Sequence, residues 1–390
     1  MTTETLRKMF TRDFTLVFFA QFAFIGVFHI LIPTLPIYLS KLGSTESEIG
    51  LLVGVFFVTA LLFRPFIGKA LLKIPERTFM IAGALLFALA SLAFLFTPPF
   101  WPFLIARAFQ GVGLAFFHTA SFTLVANISS KDHRGQSLSY FLLAPNISLA
   151  LIPVLGMFLI NRFGFTPLFL VCSGLSVATL LISSRLGKRH VIPPEDSTTE
   201  KGLLISWKAL PASIVSFFNY MMWGAITTFF PLYALSQGVT NSGLFFSVIA
   251  VMFFSVRAFA GKVLDLYGSG RVMPPMLATC AMAMALLPFS KNLPMFILVG
   301  VIWGIGNALF TPAAMSYALE QEGSSKATAI GTFTLLADLG LGLGPAIMGI
   351  ILRLTSYPIM FFCLTLIGVI NLFYFLFFVR KRVSHNTSTL

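Results

Sequence analysis

Acidic side chains are what this chain has least of. Of its 390 residues only 13 are Asp or Glu, against 26 Lys or Arg, and charged residues of both signs make up 10%. A soluble domain carries about 25%. Together with a mean hydropathy of +0.92, that shortfall excludes an ordinary soluble fold. Cysteine is scarce as well. Cys172, Cys280 and Cys363 stand in separate apolar runs, and no Cys/Cys or Cys/His spacing suggests a disulfide or a metal site. There is no Gly-rich phosphate loop ending in Lys-Ser/Thr, which removes an ATP motor. No constellation supports chemistry on a covalent bond, so neither an enzyme nor a cofactor is expected. The net charge of +13 invites a nucleic-acid partner, but its distribution argues against one.

What is abundant is apolar sequence in long runs. They fall at about 14–39, 49–72, 78–97, 101–126, 136–160 and 166–184, then 209–235, 242–263, 272–290, 294–319, 327–352 and 358–379. Each is long enough to cross the hydrocarbon core as a helix, and backbone in lipid must bond internally. The expected fold is an all-α membrane protein of twelve transmembrane helices. Basic residues gather in alternate turns: Arg7, Lys8, Arg12, Lys69, Lys73, Arg77, Lys131, Arg134, and later Arg185 through Lys208, Lys262, Arg271, Lys326 and Arg380–Arg382. The other side holds Lys41, Arg162, Lys291 and Arg353. That asymmetry places both termini in the cytoplasm. The run from Phe14 to Leu39 is too long for a signal-peptide core and reads as the first span. The sequons at Asn127, Asn146 and Asn386 fall in cytoplasmic or membrane positions, where glycosylation is not expected. A monomer in a bacterial inner (cell) membrane is expected.

The chain also repeats itself. Phe63-Arg-Pro-Phe-Ile-Gly-Lys69 recurs as Val256-Arg-Ala-Phe-Ala-Gly-Lys262, so that Arg64, Gly68 and Lys69 match Arg257, Gly261 and Lys262 at one offset (257 − 64 = 193). Phe103 to Gly113 matches Phe296 to Gly306 at the same offset, and Pro36-x-Tyr38 matches Pro231-x-Tyr233 at 195 (231 − 36). Two pseudo-symmetric six-helix halves follow, residues 1–185 and 207–390, joined by a polar cytoplasmic linker at 186–206 with Pro193-Pro194, Glu195, Asp196 and Glu200. Duplicated apolar halves are a signature of secondary transporters.

In order along the chain stand Pro33-x-x-Pro36-x-Tyr38 with Leu42-Gly43 and Ile49-Gly50, then Arg107-Ala-Phe-Gln110-Gly111-Val-Gly113, then Ala144-Pro145-Asn146 with Pro153 and Gly156. Gly261-Lys-Val-Leu-Asp265-Leu-Tyr-Gly268 and Gly340-Leu-Gly342-Leu-Gly344-Pro345 complete the series. This pattern, over the whole chain, closely resembles the major facilitator superfamily, and is most similar to its twelve-helix efflux branch, often labelled arabinose- or drug-efflux-like. The resemblance implies alternating access of two halves around a central site lined by the fourth helix, with loop residues gating the cytoplasmic side. Those residues are Arg64, Gly68 and Arg77 in the first half, and Arg257, Gly261, Asp265 and Arg271 in the second. Two positions depart from the family pattern. The first-half loop has Leu72 where an acid is expected, with Pro75 and Glu76 following, so the latch is expected to rest on Asp265. The first helix carries Gln21 and His29 but no acid.

Ionisable groups inside a bilayer are costly and therefore candidates for function. Few remain once the loops are set aside: His29, Arg107, His118 and Asp338. Arg107, Gly111, Leu114, His118 and Ser121 share one face of the fourth helix, with Arg107 and His118 about 16 Å apart along the axis. A guanidinium there can pair with a carboxylate or bond neighbouring helices. Asp338 lies near the middle of its span, where it can carry a proton or fix the packing through an ion pair. Gln110, Asn146, Asn219, Trp223, Trp303 and Asn307 add hydrogen bonds and ring surface; Asn219/Trp223 and Trp303/Asn307 are i, i+4 pairs.

The partners expected are a small-molecule substrate, protons as the coupling ion and the lipid bilayer. Export of a small organic compound in exchange for protons is the leading function. A proton-linked organic-anion carrier is the alternative, favoured by Arg107, His29 and His118. A non-transporting sensor would call for a soluble signalling domain, and no stretch has that composition.

Overall fold

A computed structural model describes residues 11–96, 100–129, 134–187, 205–322 and 326–380. Most of the expected linker, Lys131 and the Asn386 sequon lie outside the described residues. Among the described residues there is no strand. The helices are α1 (Arg12–Lys41), α2 (Glu46–Ala70), α3 (Glu76–Ala93), α4 (Trp101–Ile128), α5 (Leu143–Phe163), α6 (Phe165–Ser184), α7 (Leu210–Ser236), α8 (Gly243–Tyr267), α9 (Ser269–Leu286), α10 (Leu293–Glu322), α11 (Lys326–Leu354) and α12 (Tyr357–Tyr374).

Eleven described helices, counting Gln136–Phe163 as one, are long and apolar enough to cross a membrane. The helix that misses is α7. It has no charge, but Asn219, Tyr220, Trp223 and several Ser and Thr lower its hydropathy, and most of those polar side chains are buried against other helices.

The helix ends follow local chemistry. Thr45 and Glu48 cap each other's backbone N–H at the start of α2, Thr45 N donating to Oε2 at 2.7 Å and Glu48 N to Oγ1 at 3.4 Å. Gly268, at φ +75°, turns the chain from α8 into α9.

The span expected at 136–160 is present as Gln136–Phe163, with a one-residue turn at Leu142, where the Pro145 ring would strike the carbonyl of Phe141 in a continuous helix. One expectation needs correcting. The stretch from Gly261 to Tyr267, read as a charged loop, is the last two turns of α8. Lys262 and Asp265 do not stop a helix; the turn is confined to Gly268.

By compactness the chain divides into one unit of Met1–Gly43 with Val55–Thr198 and another of Ser44–Gly54 with Thr199–Leu390. In the first, α1 packs on α5 and α6, and α3 on α4 and α6. In the second, α7 packs on α11 and α12, and α9 on α10 and α12. The same scheme therefore operates six helices later, and it reaches single atoms. A Cβ on Gly111 would come within 2.3 Å of the Phe56 carbonyl and 3.0 Å of Thr59; on Gly304 it would meet Met252 at 2.6 Å and Ile249 at 3.3 Å. All three equivalences carry the 193 offset (304 − 111, 249 − 56, 252 − 59). Tyr38 sits among Phe103, Phe165 and Phe169 at 5.8, 4.8 and 4.9 Å between ring centres. Tyr233 sits among Phe296, Tyr357 and Phe361 at 5.8, 5.4 and 5.1 Å.

One repeated contact has exchanged its partners. In the first unit Asn127 Nδ2, at the end of α4, donates to Glu76 Oε1 on the first residue of α3 at 2.7 Å. In the second, Ser269 Oγ on the first residue of α9 lies 2.8 Å from Glu320 Oε2 on α10. Glu320 stands where Asn127 does, and Ser269 where Glu76 does (320 − 127 = 269 − 76 = 193). The acid has moved from one helix to the other and the bond has been kept. Glu320→Ala is expected to lower the thermal midpoint, the loss being about 1.5–3 kcal/mol for one hydrogen bond to a charged group. The pair Ser269→Glu with Glu320→Asn, copying the first unit, is expected to recover most of that loss. Thermal unfolding of the purified variants checks both; a double variant no better than the single would show that the two positions are not coupled.

Candidate substrate and proton pathway

In the first unit the polar side chains come from α1, α4 and α5. α4 is drawn onto α2 at Gly111, and one turn earlier this sets the Arg107 guanidinium over the Phe56 ring, 4.3 Å from its centre. Arg107 is 3% exposed, and its Nη1 donates to Gln110 Oε1 at 2.8 Å. With its oxygen so engaged, Gln110 holds a buried Nε2 that has no partner among the described residues. Gln21 on α1 repeats the arrangement. Its Oε1 accepts from Ser121 Oγ of α4 at 3.1 Å, and its buried Nε2 has no partner among the described residues. His29 Nδ1 lies 2.9 Å from Ser148 Oγ of α5. His118 is half-buried beside Phe122, 4.6 Å between rings, and Asn146 is half-buried on α5.

Along the stripe expected on α4, Arg107 and Gly111 meet α2 and Ser121 meets α1. Ser148 was not foreseen, because serine is too common in apolar helices to be singled out by type.

In the second unit α7 and α10 carry the polar residues and α11 the acid. Asn219 Nδ2 donates to Asn307 Oδ1 at 3.3 Å, and Thr311 Oγ1 lies 3.1 Å from the same oxygen. Trp223 and Trp303 are 6.1 Å apart with ring planes at 10°. Phe253 lies 6.4 Å from Trp223 and carries the Arg257 guanidinium at 4.6 Å. The two i, i+4 pairs seen in the sequence therefore meet across the helices, joined by Thr311, which was not foreseen. Asp338 is half-buried in the middle of α11. Close to it α11 presses onto α7: a Cβ on Gly340 would lie 2.3 Å from the Phe217 carbonyl, and one on Gly344 2.2 Å from that of Met221.

The gating residues are spread over the helix ends. Arg64 and Arg257 are half-buried, and Asp265 and Arg271 are exposed or nearly so. Arg77 Nη2 donates to the Ser184 carbonyl, tying α3 to α6. Gly68 and Gly261 lie within helices, and a Cβ on either would meet nothing within 4 Å among the described residues. They are not glycines required by close packing.

A family model described as Major Facilitator Superfamily matches residues 17–320 and 212–390. The chain belongs to the major facilitator superfamily. It is 25% identical over 380 residues to the staphylopine export protein of Staphylococcus aureus (strain Mu50 / ATCC 700699), covering 93% of this chain and 94% of that one. It is 24% identical over 356 residues to the quinolone resistance protein NorA of Staphylococcus aureus (strain COL), covering 86% and 88%. Among solved structures, the nucleoside transporter NupG superposes with a TM-score of 0.73 at 16% identity, covering 94% of this chain and 98% of that one. A POT family transporter in complex with 5-aminolevulinic acid gives 0.78 at 12%, covering 95% and 96%. As a major facilitator protein this chain is a membrane transporter of small molecules, with the fold of that superfamily.

Proposed function

We propose that this transporter exports a small organic compound in exchange for protons, by alternating access of its two halves. It works as a monomer in a bacterial inner membrane, with both termini in the cytoplasm. One observation carries the coupling: Asp338 is the only carboxylate within any of the twelve apolar runs. A protonated acid is far cheaper to hold among apolar groups than its anion. Loading and unloading a proton at Asp338 therefore biases α11, whose glycines bring it against α7, between two positions. Two relatives that match over most of the chain are named as a staphylopine export protein and a quinolone resistance protein, which supports the outward direction.

A second reading, carriage of an organic anion, is favoured by the first unit. Its membrane runs contain His29, Arg107 and His118 but no acid, and the N–H groups of Gln110 stand beside the Arg107 guanidinium. The test is transport in proteoliposomes holding the purified chain, with a pH gradient imposed in either direction. Proton antiport predicts substrate movement against the proton gradient, with alkalinisation of the compartment that receives substrate. Transport unaffected by either gradient would remove proton coupling.

A further inference from the structure

We infer that α7 and α10 form a recognition site for an uncharged, planar group of the carboxamide type, one that offers a hydrogen-bond donor beside an acceptor. The inference deepens the export reading by naming the part of the substrate that the second unit takes, and rests on it. The two helices are bridged by two rungs about 6 Å apart, one helical turn: Asn219 with Asn307, and Trp223 with Trp303. Asn307 Oδ1 faces both Asn219 Nδ2 and the Thr311 hydroxyl. Asn219 therefore turns its amide N–H toward Asn307 and its Oδ1 away.

That Oδ1 is buried without a partner among the described residues, and so is Nε1 of Trp303, the next rung along. Both residues are 0% exposed. Buried polar atoms are as a rule hydrogen-bonded; here one acceptor and one donor call for the opposite pair. A carboxamide brings both, in one plane. Trp223, half-buried where Trp303 is fully buried, supplies the ring face against which such a plane stacks. The site selects against charge, because α7 from Leu210 to Ser236 and α10 as far as Leu319 have no ionisable group except the phenols of Tyr220, Tyr233 and Tyr317. The nearby Arg257 is engaged over Phe253. This preference belongs to the second unit. At the place of Trp303 the first unit has Gln110 beside Arg107 (303 − 110 = 193), and at the place of Thr311 it has His118 (311 − 118 = 193).

The chain has four tryptophans, and Trp101 and Trp207 lie exposed near helix ends. Trp101→Phe with Trp207→Phe leaves the pair on α7 and α10 as the fluorophores of the full-length protein. Benzamide, benzoate and acetophenone are then titrated at equilibrium with no pH gradient. Benzamide is expected to quench saturably, with half-saturation about tenfold lower than for benzoate, which is charged, or acetophenone, which lacks the donor. Adding Trp303→Phe keeps a ring and removes the N–H; it is expected to weaken benzamide about tenfold. Asn219→Val tests the acceptor independently should that variant fold poorly. Equal half-saturation for the three probes, no saturable quench, or an unchanged benzamide response in the folded variants would overturn the site. Binding without transport would overturn the export reading and leave the site standing.

Discussion

Asp338→Asn is expected to reduce pH-gradient-driven transport to the level of protein-free vesicles while leaving equilibrium substrate binding within about threefold, less than one hydrogen bond's worth. Asparagine keeps the size of the side chain and its capacity to bond neighbours but cannot release a proton. If the carboxylate serves only to fix α11 in place, the amide should serve nearly as well and gradient-driven transport should survive. If it is the coupling group, the substituted protein is held permanently in the neutral state. It should then still exchange substrate for substrate across the membrane, a reaction that needs no net proton movement. Loss of both net transport and exchange, in a protein that folds and binds, would place Asp338 in the rocking motion itself. Normal net transport would remove it from the mechanism and bring His29, bonded to Ser148, forward as the next candidate, through His29→Gln.

Arg107→Lys is expected to weaken anionic substrates about tenfold or more and neutral ones hardly at all. The guanidinium makes two contacts that an ammonium cannot reproduce together. It lies over Phe56 at 4.3 Å, and it holds Gln110 by its oxygen at 2.8 Å. Losing the planar fork frees Gln110 to rotate, so the donor geometry offered to a carboxylate is lost although the charge remains. A hydrogen bond to a charged group is worth about 1.5–3 kcal/mol, which is one to two orders of magnitude in affinity. The measurement is a set of dissociation constants for acids and their neutral esters, taken in parallel. An equal loss for both would show that Arg107 stiffens the α2–α4 contact and does not read charge.

The twelve helices were legible because hydropathy and length leave little choice in a bilayer, and the duplication because Arg, Gly and Lys repeat at one spacing. What the sequence did not disclose was set by contacts across helices. The i, i+4 spacing of Asn219 with Trp223 marks a face, but nothing in it says that Asn307 and Trp303 lie opposite. Gly111 and Gly304 are visibly equivalent. Their partners Phe56 and Ile249 are chemically unlike, so their equivalence emerges only in three dimensions. The α8 extension to Tyr267 escapes notice for the converse reason: charged residues at a membrane surface look like a loop, yet Lys and Asp there are compatible with helix, and only Gly268 ends it. The one-residue turn at Leu142 is signalled by Pro145, and it leaves the span at Gln136–Phe163 whole.

The composition of α7 bears on how the protein is made. With Asn219, Trp223 and several Ser and Thr, α7 is, among the described residues, the one long span that falls short on hydropathy. Its chief packing partner, α11, is synthesised four helices later. During that interval the nascent chain must shelter α7 at the insertion machinery or against helices already in place. The polar side chains of α7 thus find part of their packing only when the glycines of α11 arrive against it.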